Sequence, residues 1–212
     1  KVLIEKKHRE FRTVTGELNG KLLSIIGTGI GTDNIDIVMN EIDAIFNVDF
    51  GTRTTKENKT NLKFIRLGTS GALKKGIPVD SIVISKYAAG LDGLLYSYYS
   101  QEIQDHDLVQ LLKSKLSSDM SVYAVESSIA LCEKFETLGA SGITLTANGF
   151  YGPQSRSIRL QSRFDIRDLL ADFSYKNYMV TNFEMESSAI YGLAKLLGHE
   201  ALSLNVILAN RI

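Results

Sequence analysis

The feature that most constrains this chain is an apolar strand that passes without a break into a glycine turn and then a helix. Residues 22–26 (LLSII) read as a buried strand and residues 27–31 (GTGIG) as the turn. About 33–46 then follow a helical pattern, with Ile35, Val38, Met39 and Ile42 on one face. Strand, glycine turn and helix in that order are the layout of an α/β unit. Just upstream, alternation through Arg12, Val14 and Leu18 predicts a strand hairpin turning at Asn19–Gly20.

Strand-like and helix-like segments go on alternating to the end. Residues 51–63 carry almost no apolar side chains and predict a solvated loop. Residues 64–67 predict a short strand that ends in a second glycine turn, 68–71 (GTSG). Residues 80–85 form a third apolar run. Residues 94–99 supply three of the nine tyrosines and suit a mobile or interfacial segment. Helices are expected over 107–116, 127–138 and 185–197, with a shorter one over 165–172. Strands are expected over 142–146 and 201–208, and the first opens into turn chemistry at 148–153. There is no linker, low-complexity tract or repeat, so the expectation is a single α/β domain over 1–212.

A chain of 212 residues can bury roughly 70% of the surface its unfolded form exposes, so no staples are needed. The 24 basic and 24 acidic residues cancel, which argues against a broad nucleic-acid-binding face or an anionic membrane surface. Cys132 is the only cysteine, so no intrachain disulfide can form and a reducing compartment is expected. No apolar run approaches the ~20 residues that span a bilayer. The charged first residues lack the apolar core of a secretory signal, and the expected location is the cytoplasm.

Five groups of side chains could carry chemistry. Arg66 stands in an otherwise apolar strand, beside Thr69, where an uncompensated charge would be costly. It suits an oxyanion such as phosphate, or else a structural salt bridge to Asp92 or a helix acid. The 27–31 turn, with Gly27 and Gly29, could present backbone N–H groups to an anion or be only a tight turn; it is neither a Walker A motif nor a convincing dinucleotide fingerprint. Gln154 and Arg156, two apart, would point to one side of an extended backbone and could read a flat heterocycle, with Phe150 as a stacking face; alternatively they form an exposed polar loop. In 182–188 (NFEMESS), Glu184 and Glu186 flank Met185 where a helix is expected to start, with Asn182 as its cap. His8 and Arg9 alone would be surface residues. No histidine has a carboxylate or cysteine at metal-ligand spacing, so no metal is expected. No Gly-x-Ser-x-Gly elbow occurs either, which argues against covalent catalysis.

Six stretches in this order resemble the nucleoside phosphorylase superfamily, and within it the uridine phosphorylase branch. They are 8–11 (HREF), 28–31 (TGIG), 64–71 (FIRLGTSG), 150–156 (FYGPQSR), 182–188 (NFEMESS) and 206–211 (VILANR). The resemblance implies a central mixed, strongly curved sheet flanked by helices. It implies reversible phosphorolysis of a pyrimidine nucleoside, uridine first, to free base and ribose 1-phosphate, a pentosyltransferase reaction. Arg66, Thr69, Gly27 and Gly29 would hold phosphate, joined by Arg9 across a subunit interface. Thr69, Met185, Glu186 and His8 would hold the ribose. Phe150, Gln154, Arg156 and Arg211 would hold the base. Inorganic phosphate would be a co-substrate, with no other cofactor, no nucleic-acid or membrane partner, and a homo-oligomer, dimer or hexamer.

Purine-specific relatives place an aspartate near the end of the last strand. Asn210 stands there and cannot ionise, which favours a pyrimidine. The alternatives are a purine nucleoside phosphorylase or nucleosidase of the same fold, or a non-catalytic nucleoside-binding protein. The family also has a Gly-Asp-Pro-x-Arg-like phosphate loop before the HREF stretch and a helix after the last strand, and the sequence as given is expected to omit both.

Overall fold

The computed structural model describes residues 1–117 and 119–211; Ser118 and Ile212, both inside the expected domain, lie outside the described residues. Strands β1 (Val2–His8), β2 (Phe11–Leu18) and β3 (Lys21–Gly27) form an antiparallel meander. The β2–β3 turn is the Asn19–Gly20 pair, both at positive φ (50° and 75°), as a two-residue hairpin with right-handed strand twist demands. Helix α1 (Thr32–Asn47) follows and buries Ile35 and Met39, as its apolar spacing predicts. A small hairpin, β4 (Val48–Asp49) with β5 (Thr54–Thr55), interrupts the expected loop.

The remaining strands are β6 (Lys63–Ala72), β7 (Ile82–Gly90), β8 (Tyr123–Glu126), β9 (Ala140–Thr146), β10 (Ser174–Tyr175), β11 (Tyr178–Glu184) and β12 (Glu200–Asn210). The helices between them are α2 (His106–Lys115), α3 (Ile129–Phe135), α4 (Ile166–Leu169) and α5 (Ser187–Leu197). β6 pairs parallel with β12, β12 antiparallel with β7, β7 parallel with β9, β9 parallel with β11, and β11 antiparallel with β6. Those five strands close a ring, and β8 and β10 extend it from β7 and β11. The expected curved, mixed sheet with flanking helices is therefore present, curled until it meets itself.

Apolar side chains fill the space between ring and helices. α5 is buried continuously from Ser187 to Ala194. With α1 it forms a cluster of Ile35, Met39, Leu95, Tyr123, Tyr191 and Leu193. A second cluster joins α2 and α4 to the sheet through Leu108, Leu112, Leu145, Ile166 and Phe183.

Three local expectations differ from the structure. β3 is largely exposed, with Leu22 and Ile25 open, because the meander is a separate three-stranded sheet outside the ring. Residues 68–71 form no turn: β6 runs unbroken through them, since β12 and β11 pair with its backbone up to Ala72. β8 and β11 were not anticipated, being short or masked by the acidic stretch that follows. Residues 94–97 form a single helical turn anchored by buried Leu95, and Tyr99 beyond it is fully exposed.

Candidate active site

β6 sets Arg66 on the face it shares with Gly68. A Cβ on Gly68 would lie 2.0 Å from Arg66 Nη1, so the guanidinium rests in the space the glycine leaves. There it meets carboxylates from far along the chain. Arg66 Nη2 donates to Glu186 Oε2 at 2.6 Å and lies 3.3 Å from Glu184 Oε2. Nη1 donates to Asn205 Oδ1 at 2.5 Å and to Ser203 Oγ at 3.4 Å. Asp92, the other acid considered for this arginine, instead accepts from Tyr123 and Ser188, and burial pushes its carboxyl up.

The two glutamates divide their work. Asn182 is not a helix cap; it lies within β11, and α5 begins only at Ser187. The strand wins because β6 and β9 satisfy its backbone on both sides. Glu184 Oε2 does the capping, accepting from the backbone N–H of Glu186 and of Ser187, each at 2.9 Å. Its Oε1 accepts from the Thr146 hydroxyl at 2.5 Å. Glu186 Oε1 accepts from the Gly31 N–H at 2.7 Å, which ties the glycine turn to this cluster. Burial first, and the adjacent Glu184 second, raise the Glu186 carboxyl above its ordinary value, against the opposing pull of Arg66.

A second cluster gathers at the end of β12. Arg211 lies over Gly71, whose added Cβ would be 2.5 Å from Arg211 Cδ. Its Nη1 donates to Gln154 Oε1 at 3.1 Å, and its Nη2 donates to the Gln154 backbone carbonyl. Burial and the neighbouring Arg156 and Arg167 pull Arg211 down to about 10, still protonated at neutral pH. Arg167 donates to the Arg211 carbonyl at 3.2 Å and pairs with Asp165.

Gln154 and Arg156 do not share an extended strand. A helical turn, Gly152–Gln154, precedes Ser155 at φ 58°, because Gly152–Pro153 favours turning over extension. Gln154 is buried, whereas Arg156 stacks 4.0 Å above the Phe150 ring and so occupies a face of it. Arg156 Nε is buried without an acceptor among the described residues. Tyr151, Arg156, Arg167 and Arg211 help to line a cavity of about 400 Å³.

Arg66 and Glu186 are thus brought together, as are Gln154 and Arg211 and, separately, Phe150 and Arg156. Thr69 is exposed on the opposite face of β6 from Arg66, and Met185 is half-buried between the two glutamates. Gly27 ends β3 opposite Arg12, and Gly29 is at positive φ beside Glu10 of the β1–β2 turn. His8 and Arg9 are exposed at that turn, and neither is among the described hydrogen-bond partners of the Arg66 side chain. Asn210 donates to the carbonyls of Lys74 and Ile77. Ser203, Asn205 and Arg167 were not anticipated. Two polar residues at alternate positions of an otherwise apolar strand, 203 and 205, were the signal that could have found the first two. Among the described residues, no group of three His, Cys, Asp or Glu could hold a metal ion, and no helix is long and apolar enough to cross a membrane.

A family model described as the phosphorylase superfamily matches residues 1–211. A uridine phosphorylase of Thermococcus kodakarensis is 33% identical over 97% of this chain and 64% of its own length. The uridine phosphorylase of Escherichia coli is 27% identical over 96% of this chain and 70% of its own. The chain therefore spans about two thirds of these curated relatives. A crystal structure of a Trypanosoma brucei nucleoside phosphorylase, described as showing uridine phosphorylase activity, superposes with a TM-score of 0.81 at 26% identity, over 100% of this chain and 78% of that one.

Proposed function

This chain belongs to the phosphorylase superfamily, and on that premise we propose that it performs phosphate-dependent cleavage of a pyrimidine nucleoside, uridine first. The observation that carries the reading is the part-buried Arg66–Glu186 pair, 2.6 Å long, which sets a cation for phosphate against an acceptor for a sugar hydroxyl. A phosphate oxygen forms a bond to the anomeric carbon while the bond from that carbon to the base nitrogen breaks, and the electron pair leaves with the base.

Positive charge develops on the ribose and faces the bound phosphate. Negative charge develops on the base and faces Gln154, Arg156 and Arg211, whose donors act most strongly where water is excluded. The unmet Arg156 Nε supports this assignment, since a base carbonyl would satisfy it. Uracil leaves as a delocalised anion, so a non-ionising Asn210 suffices at the strand end. Phe150 would pack beside the nucleoside, and Met185 would line the ribose. The Gly27–Gly29 backbone would complete the phosphate site beside Arg66; Thr69, exposed on the opposite face of β6, is left out of it.

The same reading makes the protein a cytoplasmic homo-oligomer, dimer or hexamer, with residues 1–212 as one domain in each copy. Exposed apolar residues on the β1–β3 meander support a covering copy, and Arg9 and His8, exposed at its tip, would reach a neighbour's site. Mixing an Arg9→Ala chain with an Arg66→Ala chain should then restore part of the activity; confirmed mixed oligomers without activity would remove the shared site.

Incubation with uridine should release uracil only when phosphate is added. Release without phosphate would establish a hydrolase, and inosine turnover above that of uridine would overturn the argument from Asn210. Calorimetric binding of uridine without turnover would leave a binding protein.

A further inference from the structure

We infer that Asn205 is a positioning residue for Arg66, held in one amide orientation by a directional chain of hydrogen bonds that passes through all five strands of the ring. The inference rests on the reading of Arg66 as the phosphate ligand.

The direction follows from counting protons. Arg66 can only donate, and the chain leaves it an acceptor only if Asn182 turns Nδ2 to Ser70 and Oδ1 to Thr144; the Thr144 hydroxyl, 2.8 Å away, therefore spends its single proton on Asn182 Oδ1. Thr144 Oγ1 and Ser85 Oγ are 2.5 Å apart, and Thr144 has no proton left for that contact; Ser85 must therefore donate. Ser85 Oγ can then only accept from its other partner, Asn205, 2.9 Å away, which fixes the amide nitrogen on that side. The same nitrogen lies 3.2 Å from Ser203 Oγ. Oδ1 is left facing Arg66 Nη1 at 2.5 Å. The far end is anchored as well, since Asn182 Nδ2 donates to Ser70 Oγ at 3.0 Å, back on β6. Ser70, Ser85, Thr144, Asn182 and Asn205 are all buried, so water does not compete.

A neutral acceptor is the right partner for this task. Glu186 and Glu184 hold the other guanidinium nitrogen with charge, and phosphate has to compete with them for it. Asn205 aims the guanidinium without cancelling its charge, so the arginine stays oriented when the glutamate contacts give way. A carboxylate in its place would become a permanent competitor for the cation.

The test is steady-state kinetics of uridine phosphorolysis, with phosphate and uridine varied separately, for Asn205→Asp, Thr144→Val and Arg66→Lys. Asn205→Asp should raise the phosphate KM at least about tenfold, because a charged acceptor holds a cation more tightly than a neutral one. Thr144→Val touches neither Arg66 nor Asn205 but cuts the chain. It should raise the same KM by roughly fivefold, the worth of one buried hydrogen bond, with the uridine KM within about twofold. If Asn205→Asp does not fold, as judged by circular dichroism, the Thr144→Val split decides alone. Equal rises in both KM values, or an unchanged phosphate KM in Asn205→Asp and Thr144→Val while Arg66→Lys raises it, would overturn the positioning role. An unchanged phosphate KM in Arg66→Lys as well would instead remove the phosphate reading beneath it.

Discussion

The Arg66 cluster and the Arg211 cluster both seat an arginine over a glycine of β6, yet their hydrogen-bond accounts are opposite. Around Arg66, one cation meets two carboxylates and an amide, and every one of those groups is also held by the backbone at a helix start or by another side chain. Around Arg211, three arginines gather and, among the described residues, Asp165 is ion-paired to Arg167 alone and one buried donor is unmet, with a cavity of about 400 Å³ alongside. A ligand at the first cluster must exchange for bonds that already exist. One at the second adds bonds where donors are waiting. On the proposed reading, the first arrangement would discriminate by charge and geometry, and the second would supply attraction for a flat, electron-rich group.

The largest break in that comparison is removal of the first cation. Arg66→Met should lower kcat/KM by roughly 10²–10³-fold, the usual cost of a lost donor to developing charge. A loss below about tenfold would move the reacting centre elsewhere.

Next in size is the contrast between the two glutamates. Glu184→Ala strips acceptors from two backbone N–H groups and a hydroxyl, and should cost roughly 3 kcal/mol of stability in urea denaturation. Glu186→Ala should leave the midpoint closer to the parent while activity falls by roughly tens of fold. The reverse pattern would exchange their roles.

The glycine seats give a smaller but cleaner separation. Gly68→Ala displaces the Arg66 head and should raise the phosphate KM, and Gly71→Ala displaces the Arg211 stem and should raise the nucleoside KM. Each clash is with a flexible side chain, so stability should change by only about 1 kcal/mol. If both variants shift the same KM, the two clusters serve one ligand.

The smallest expected effect is on pH. The Glu186 carboxyl is raised from its ordinary 4.5, so the folded protein keeps that proton to higher pH than the unfolded chain does. Its contribution is full below about 4.5 and is lost as pH rises through the folded value. Relative to Glu186→Gln, the parent's stability should therefore decline with rising pH across that window, while its ability to hold a sugar hydroxyl grows. Thermal melts of both proteins between pH 4 and 8 measure the difference; parallel curves would mean that burial does not shift the group.

Much of this was legible in advance where the signal is local. The Asn19–Gly20 turn, the apolar faces of α1 and α2, and the oddity of Arg66 in an apolar run are written within a few residues each. Gly68 and Gly71 misled because glycine marks a turn when nothing pairs with its backbone and a space-giving residue when something does. Gln154 and Arg156 misled in the opposite sense, by presuming extension across a Gly–Pro turn.

By itself, the sequence determined the alternation of strands and helices, the residue types able to hold an oxyanion and a heterocycle, and the family resemblance. Only the tertiary structure decided that β6 continues through its glycines, that Glu184 caps while Glu186 faces Gly31, and that Asn205 aims Arg66. The physical reason is range. Propensity and periodicity act over a few residues, but Arg66 meets Glu186 across 120 positions and Asn205 across 139. Those meetings exist only once five strands have closed on one another.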